Sequence, residues 1–200
     1  MAFRSTKLVD RALNWLFNKF KQLQILVRTN REAESLKQDQ YEGDWQSIVT
    51  DGLKNPVSYP QFGNMYLFRY DAKWGEKLPY WDAQPLVIPF EPRSNGFLGI
   101  NFHYLPFDLR KILLDKLLNF LDGNQNSQYL NFAYNDIRDF TKFAEVKPTI
   151  KYYLNRHMRS RFLPIQTDEW NTAIYLPTEE FVKSTKFNVW LDSRRKIRNA

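Results

Sequence analysis

The stretch GFLGINFHYLPFDLR, residues 96–110, decides the fold because its hydrophobic pattern changes from the period of a strand to that of a helix. Apolar side chains first alternate with small or polar ones, which predicts a strand over residues 97–105. Gly99 inside it indicates a bulge or the close approach of another group. Pro106 and Asp108 then suit the first turn of a helix. The sequence therefore predicts a strand that runs directly into a helix.

Counting by twos along this strand gives it a core face and a second face. The predicted core face carries Leu98, Ile100, Phe102 and Tyr104. The other face carries Phe97, Gly99, Asn101 and His103. General-base or metal chemistry would need partners for the histidine, and the chain has only two His. We therefore expect His103 to be structural, with a backbone carbonyl or a neighbouring side chain as its partner.

Two earlier apolar runs, residues 63–71 and 84–92, precede residues 97–105 at hairpin spacing and predict an antiparallel meander. Pro89 removes one ladder hydrogen bond, so its strand should lie at an edge or carry a bulge. Residues 161–166 form another short run that could return to the sheet. The predicted fold class is α+β, with a small antiparallel, barrel-like β-sheet packed with several helices, plus an extended or helical N-terminal arm.

Helical periodicity is clearest in residues 105–122. The predicted buried stripe of this helix is Leu109, Ile112, Leu113, Lys116, Leu117, Phe120 and Leu121. Further helices are predicted at residues 129–145, 147–162, 167–176 and 177–184. Thr167 is the expected N-cap of the helix that begins there. The basic residues 186–200 are expected to be partly extended.

The N-terminal residues 7–28 have the apolar period of an amphipathic helix. Such a helix could dock on another subunit, pack on its own core or, less well, lie on a membrane surface. The predicted docking side chains are Leu8, Trp15, Leu16, Phe20, Leu23 and Val27. Residues 29–62 are polar and lack a period, as in a linker. We therefore divide the chain into an arm (1–62), an α+β core (63–176) and a C-terminal helix with a basic tail (177–200).

The net charge of +7 is unevenly distributed. Residues 1–31 hold seven Lys or Arg and one Asp, and residues 147–200 hold eleven basic and five acidic side chains. Residues 32–146 hold eleven basic and sixteen acidic side chains. Basic ends can neutralise phosphates and release counterions, dock on an acidic protein, or simply face solvent.

Several classes of protein are excluded by composition. The chain has no cysteine, which excludes disulfides, thiolate catalysis and cysteine-based zinc sites. No apolar run approaches the roughly 18 residues of a membrane span, and Lys19 and Lys21 interrupt the pattern of a signal peptide. We expect a protein made in the cytoplasm, without a membrane partner or a cofactor.

Enzyme motifs are nearly absent, since the chain has no Walker loop, GxSxG, HExxH or GxGxxG pattern. The best enzymatic candidate is a magnesium-dependent nuclease in which Asp71 and Lys73, with Asp82 and Glu91 nearby in sequence, form the site. Such D-x-K triplets arise often by chance, and Asp71 ends a strand where Asp is a normal turn residue. We expect no enzyme, and no catalytic or metal-binding residue.

The most concentrated positive charge lies in two segments of the last third of the chain. The predicted nucleic-acid or partner-binding residues are Lys151, Arg156, Arg159, Arg161, Arg194, Arg195, Lys196 and Arg198. On a helix, Arg156 and Arg159 would share a face. Contacts to phosphate hold DNA without reading its sequence, so these residues suit sequence-independent duplex binding.

Three pieces of the chain together resemble a known family. They are LPYWD at residues 78–82, GFLGINFHYL at residues 96–105, and RSRF at residues 159–162 with the following W..A..LP.E.F pattern that ends at Phe181. They are similar to small virion proteins of large contractile-tailed bacteriophages, labelled DNA end protector proteins. The resemblance covers residues 63–195 and specifies no catalytic or DNA-contacting residue.

The resemblance implies a non-enzymatic structural protein that binds packaged DNA ends, shields them from exonucleases, and assists head completion and head–tail joining. It also implies a location in the virion, after assembly in the host cytoplasm. The expected partners are other virion proteins in a symmetric multi-subunit assembly, and duplex DNA ends. The competing interpretation is a tail, neck or baseplate component that docks protein subunits rather than DNA.

Overall fold

Seven short strands and three α-helices occur in the computed structural model, which describes residues 48, 52, 54–122 and 143–199. The strands are β1 (Met65–Leu67), β2 (Trp81–Asp82), β3 (Leu86–Arg93), β4 (Gly96–Asn101), β5 (Ile150–Leu154), β6 (Leu163–Ile165) and β7 (Phe181–Val182). The α-helices are α1 (Phe107–Asp122), α2 (Trp170–Ala173) and α3 (Lys186–Arg198). Short 3-10 helices cover Phe102–Tyr104, Lys147–Thr149, Asn155–His157 and Thr167–Glu169. The predicted α+β class is confirmed.

Five strands form one antiparallel sheet in the order β5-β4-β3-β1-β6. The predicted meander is confirmed, and so is the return of residues 161–166, because Leu163 of β6 pairs with Leu67 of β1. A bridge between Tyr70 and Met158 continues the pairing beyond the end of β1. The remaining strands, β2 and β7, pair with each other in a two-stranded ribbon.

Pro89 lies in the central strand β3, where the register shifts between Pro89 and Glu91. The bulge that we predicted is therefore present, whereas the alternative position at a sheet edge is wrong. Gly99 of β4 lies opposite Pro89, and a Cβ atom built there would lie 2.3 Å from Cγ1 of Val87. The predicted close approach at Gly99 is confirmed, because only a residue without a side chain lets β3 and β4 pair here.

Both faces of the sheet are covered by buried side chains. One face carries an aromatic cluster of Tyr66, Phe68, Tyr70, Val87, Phe97, Tyr153 and Phe162. The ring centroid of Phe68 lies 4.8 Å from that of Phe162 and 5.3 Å from that of Tyr153. The prediction that only one face of β4 is core is therefore wrong: Phe97 is 2% exposed, while Leu98 is only half-buried.

The strand predicted over residues 97–105 ends at Asn101, and Phe102–Tyr104 form a 3-10 helix instead. The side-chain oxygen of Asn101 accepts a hydrogen bond of 2.9 Å from the backbone N–H of His103. This local bond competes with the strand ladder and bends the chain. The bend places the backbone carbonyl of His103 where the indole N–H of Trp190 donates to it, at 2.9 Å.

Helix α1 confirms the helix predicted over residues 105–122, but its buried face differs from the prediction. Leu113 and Leu117 are buried as predicted, whereas Ile112 is 43% exposed. Arg110 is completely buried, although the pattern placed it outside the stripe. Its guanidinium donates to the carbonyls of Leu105 and Ile174, which compensates part of the cost of burial.

The helix predicted over residues 147–162 is wrong. The chain forms strand β5 between two 3-10 helices, and β5 pairs with β4 at Phe97↔Tyr153 and Gly99↔Lys151. Tyr153 enters the aromatic cluster. The free edge of β4 thus selects a strand here over the local helical pattern.

Near the C-terminus the secondary structure is the reverse of the prediction. Residues 177–184 contain strand β7 where a helix was predicted, and α3 is helical where an extended tail was predicted. The hydroxyl oxygen of Thr185 accepts the N–H of Asn188 at 3.3 Å and caps α3. The cap predicted at Thr167 is also wrong, because Gln166 and Glu169 form a capping box one residue earlier. The predicted N-terminal helix with its docking side chains, and residues 129–142, lie outside the described residues.

Candidate nucleic-acid interface

A cluster of exposed basic side chains lies where the chain leaves β1 and meets the connection between β5 and β6. Two backbone bonds join these segments: Asp71 N–H donates to the His157 carbonyl at 3.0 Å, and Arg159 N–H donates to the Arg69 carbonyl at 2.8 Å. The imidazole Nδ1 of His157 also donates to the Asp71 carbonyl, at 2.9 Å. We define residues 69–77 and 156–161, together with Lys183, as the basic corner.

The basic corner holds seven Lys or Arg and two acidic residues, Asp71 and Glu76. Its exposed cations are Arg69, Lys73, Lys77, Arg156, Arg159, Arg161 and Lys183. Asp71 forms an ion pair of 2.8 Å with Arg159, and both side chains are about half exposed. Exposed pairs of this kind contribute only about 0–1 kcal/mol, so a phosphate could replace the carboxylate.

Two arginines of the basic corner are exposed and have no acidic partner among the described residues, so a ligand could pair with them. Within the described part of the chain, Arg156 and Arg161 form no ion pair, and both are exposed. The sequence analysis proposed both residues and Arg159, and the structure brings the three together. The three arginines lie on a 3-10 helix and the residues that follow it, rather than on one face of an α-helix.

The other predicted basic residues lie on α3 in a different setting. Arg194 makes two hydrogen bonds to the Asp108 carboxylate, at 2.9 and 3.1 Å, and Lys196 pairs with Asp192 at 2.9 Å. The same exposed face carries two large apolar side chains, Phe187 (64% exposed) and Leu191 (55%). A groove between α1 and α3 is lined by Leu109, Leu191, Arg194, Arg195, Ile197 and Arg198. We call this exposed surface of α3 the C-terminal helix face.

Lys151 is half-buried rather than presented to solvent. Its ammonium donates to the Pro148 carbonyl at 2.8 Å and lies 3.9 Å from the ring centroid of Tyr104. Burial, with a smaller effect from the charge of Lys196, lowers the pKa of Lys151 to about 8. These contacts do not favour the predicted role of Lys151 in binding phosphate.

Sequence reasoning missed a second part of the corner, the turn of residues 73–77. It presents Trp74, which is 54% exposed, with the ammonium groups of Lys73 and Lys77 at 4.8 and 5.1 Å from the indole centroid. Lys183 donates to the carbonyls of Gly75 and Glu76, at 2.6 and 2.9 Å. The local signal was the sequence KWGEK, in which a Trp stands between two lysines.

The carboxylates of the nuclease alternative do not converge. Asp71 is exposed in the basic corner, Asp82 is buried, and Glu91 pairs with Arg93 at 2.6 Å. No group of three or more His, Asp or Glu side chains that could hold a metal ion occurs among the described residues. The described carboxylates thus provide no arrangement for in-line displacement by two metal ions.

His103 has side-chain partners, as expected for a structural residue. Its Nδ1 atom lies 2.8 Å from a carboxylate oxygen of Asp82, and its Nε2 atom lies 3.2 Å from the hydroxyl oxygen of Thr178. The imidazole is completely buried. Because the ring has no exposed surface, the chain around it would have to open before a substrate could reach it.

A basic surface on a backbone held by a sheet suits proteins that bind nucleic-acid phosphates. A sequence model of the family described as phage T4 terminal DNA protecting protein matches residues 4–192. The chain therefore belongs to this family of bacteriophage DNA end protector proteins, which confirms the resemblance seen in its sequence. Searches of curated proteins and of solved structures found no match. No helix in the described ranges is long and apolar enough to cross a membrane.

Proposed function

We propose that this protein binds the ends of packaged duplex DNA through the basic corner and shields them from exonucleases, as a non-enzymatic component of the virion. The proposal is carried by the combination of family membership with three arginines, Arg156, Arg159 and Arg161, on one exposed connection. The proposed partners in the particle are DNA ends and other virion proteins in a multi-subunit assembly.

The chemistry of the corner fits sequence-independent binding. A guanidinium forms two parallel hydrogen bonds with a phosphate and stays charged at all relevant pH values. The backbone that carries Arg159 is tied to Arg69, and that of His157 to Asp71, so little backbone entropy is lost on binding. Contacts of this type position a protein on DNA but do not distinguish one base sequence from another.

The salt dependence of duplex binding tests which surface carries the phosphate contacts. Each neutralised phosphate contributes about 0.9 to the slope of log K against log salt concentration. Replacing Arg156, Arg159 and Arg161 by Ala should lower the slope by about 1 to 3. The matched control replaces Arg194, Arg195 and Arg198 by Ala, which removes the same charge from the C-terminal helix face. A larger loss of slope in the control would show that the corner is not the DNA site.

Protection of ends needs its own assay. Linear duplex should resist a double-strand exonuclease in the presence of the full-length protein, and the corner variant should lose this effect. The C-terminal control variant should retain it. Digestion that proceeds at the same rate with and without wild-type protein, at concentrations that saturate the duplex, would contradict the proposed function.

The C-terminal helix face favours a second function, which is to dock a neighbouring virion protein. Phe187 and Leu191 are exposed on the same face as Arg194, Arg195 and Arg198, so an amphipathic segment with acidic side chains would complement it. We propose that head completion and head–tail joining use this face. Replacing Phe187 and Leu191 by Ser should prevent incorporation into particles and leave DNA binding unchanged. The control Phe62→Ser, at another exposed apolar residue, should affect neither incorporation nor DNA binding.

A further inference from the structure

Phosphate contacts cannot explain a preference for DNA ends. Phosphates occur along the whole length of a duplex, so the arginines of the basic corner would bind its interior as well as its terminus. What an end presents and the interior does not is the exposed flat face of the last base pair. Aromatic side chains recognise such faces by stacking, and they do so with every base. A protein that prefers ends therefore needs an exposed aromatic ring beside its phosphate-binding groups.

Trp74 has this position. It is the one tryptophan among the large exposed apolar side chains of the described residues, with 54% of its surface accessible. It follows Asp71 by three residues, and the Asp71 carboxylate binds Arg159 of the other segment of the corner. The Trp74 indole and the arginines of the basic corner thus belong to one region of the surface.

The turn that carries Trp74 is fixed from several sides. The backbone N–H of Leu78 donates to the Trp74 carbonyl at 2.9 Å, and Lys183 binds the two carbonyls that follow Trp74. Gly75 packs against Trp81 so closely that a Cβ atom at Gly75 would lie 2.9 Å from the Trp81 indole. Because the backbone is already ordered, stacking on Trp74 would cost little conformational entropy.

The two lysines beside the ring fit the same role. The ammonium groups of Lys73 and Lys77 lie 4.8 and 5.1 Å from the indole centroid, as weak cation–π contacts on an exposed surface. Stacking of a base on an aromatic side chain is stronger than such an exposed contact, so a terminal base can displace an ammonium group from the ring. The released lysine then lies next to the phosphates of the last nucleotides.

We infer that the turn of residues 73–77 recognises the DNA end, with the Trp74 indole stacked on the terminal base and Lys73 and Lys77 on the adjacent phosphates. This inference rests on the proposed binding of DNA by the basic corner, to which it adds the group that distinguishes an end from the interior. The ligand is the exposed face of a terminal nucleobase, of any sequence. The arginines supply affinity for both linear and circular DNA, and Trp74 supplies the difference between them.

Competition between a blunt linear duplex and a closed circle of the same sequence tests the inference on the full-length protein. The wild type should prefer the linear form, and Trp74→Ala should weaken binding to it by about 5- to 100-fold, with affinity for the circle unchanged. Trp74→Phe should retain part of the preference, because phenylalanine still offers a ring. Tyr59→Ala, at another exposed aromatic residue, is the matched control and should behave as the wild type.

A fluorescent base gives a direct readout of stacking. 2-Aminopurine at the terminal position of the duplex should be quenched by the wild type and not by Trp74→Ala, and 2-aminopurine in the interior should respond to neither. If the wild type and Trp74→Ala both bound linear and circular DNA equally well, the inference would be overturned but the proposed function would stand. Absence of any duplex binding by the wild type would overturn the proposed function with it. A Trp74→Ala protein that keeps its preference for ends but no longer enters particles would show that Trp74 contacts a protein, and would also overturn the inference.

Discussion

The imidazole of His103 and the carboxylate of Asp82 form a buried pair in which Nδ1 and Oδ2 are 2.8 Å apart. The same oxygen of Asp82 accepts the side-chain amide of Asn101 at 3.0 Å, and its other oxygen accepts two backbone N–H groups. On the far side of the ring, Nε2 can accept the hydroxyl hydrogen of Thr178. One carboxylate thus ties together β2, the end of β4 and the segment that leads into β7.

Removal of this carboxylate should destabilise the fold strongly. Asp82→Ala would leave the imidazole N–H of His103 and one side-chain N–H of Asn101 buried without an acceptor, which typically costs about 3–5 kcal/mol. Urea unfolding of the full-length variant measures the loss. Asp115→Ala is the control, because Asp115 is half exposed and pairs with Lys111 on the surface of α1, so its loss should cost less than about 1 kcal/mol. Equal effects of the two substitutions would show that the Asp82 network is not a stabilising centre.

A second buried pair makes stability depend on pH. Arg110 lies with its guanidinium 3.7 Å from the carboxylate of Glu179, and Lys186 approaches the other carboxylate oxygen at 3.1 Å. Burial by itself would raise the pKa of Glu179, but the positive charges of Arg110 and Lys186 outweigh it and lower the pKa to about 2. The folded state therefore holds Glu179 ionised at pH values where the unfolded chain protonates it.

The free energy of unfolding should fall as the pH drops from about 4.5 to about 2, by up to about 3 kcal/mol from Glu179. The stabilisation is complete above the pKa of the unfolded chain and disappears as the pH approaches the folded value. Glu179→Gln should be less stable than the wild type at pH 7, and the difference should shrink toward pH 2. Urea unfolding at a series of pH values measures it, and parallel curves for the two proteins would contradict the assignment.

The sequence predicted the parts of the fold in which local pattern and turn residues agree. Residues 63–71 alternate in the period of a strand, residues 84–92 are a short apolar run bounded by prolines, and α1 begins just after Pro106, so each was identified correctly. The stretch 147–162 mixes residues that form helices readily with the strand formers Ile150, Tyr152 and Tyr153, and pairing with the edge of β4 makes Ile150–Leu154 a strand. That edge belongs to a strand about fifty residues earlier, and no local window contains it.

The candidate site was predictable to a similar degree. The density of arginines identified Arg156, Arg159 and Arg161, because exposed charge needs no tertiary partner to be recognised. The contact between residues 69–71 and 157–159 links segments that are far apart in sequence, so the position of the Trp74 turn beside the arginines could not be read from the pattern. The burial of Arg110 was missed for the same reason, since its partner Glu179 lies in a distant segment.

The close pairing of β4 with β5 at Gly96 predicts a strong effect of a single methyl group. A Cβ atom at Gly96 would lie 1.9 Å from the backbone carbonyl oxygen of Tyr153, which cannot move without breaking the ladder. Overpacking costs about 1–3 kcal/mol and occasionally more, so Gly96→Ala should unfold at a clearly lower urea concentration than the wild type. Ser94→Ala, in the exposed turn two residues earlier, should unfold within about 0.5 kcal/mol of the wild type. A fully stable Gly96→Ala protein would show that β4 and β5 are not paired in this register.

A substitution at Lys151 distinguishes a structural role of this residue from a role in DNA binding. The folded state lowers the pKa of its ammonium to about 8, whereas an unfolded chain keeps it at about 10.4. Below pH 8 the charged ammonium of Lys151 therefore lowers the free energy of unfolding. This destabilisation disappears as the pH rises toward the pKa of the unfolded chain. Lys151→Met keeps the long side chain beside Tyr104 without the charge, so it should raise the free energy of unfolding at pH 7 by about 1–3 kcal/mol.

This gain should shrink when the same urea titrations are repeated near pH 10, because the wild-type lysine is then neutral in the folded protein. Duplex binding by Lys151→Met should keep the wild-type salt slope, since the half-buried ammonium already binds the Pro148 carbonyl. Arg156→Met is the matched substitution at an exposed cation, and it should lower the slope by up to about 0.9 and leave stability nearly unchanged. A loss of salt slope in Lys151→Met equal to that in Arg156→Met would place Lys151 in the DNA interface, as its charge in the sequence first suggested.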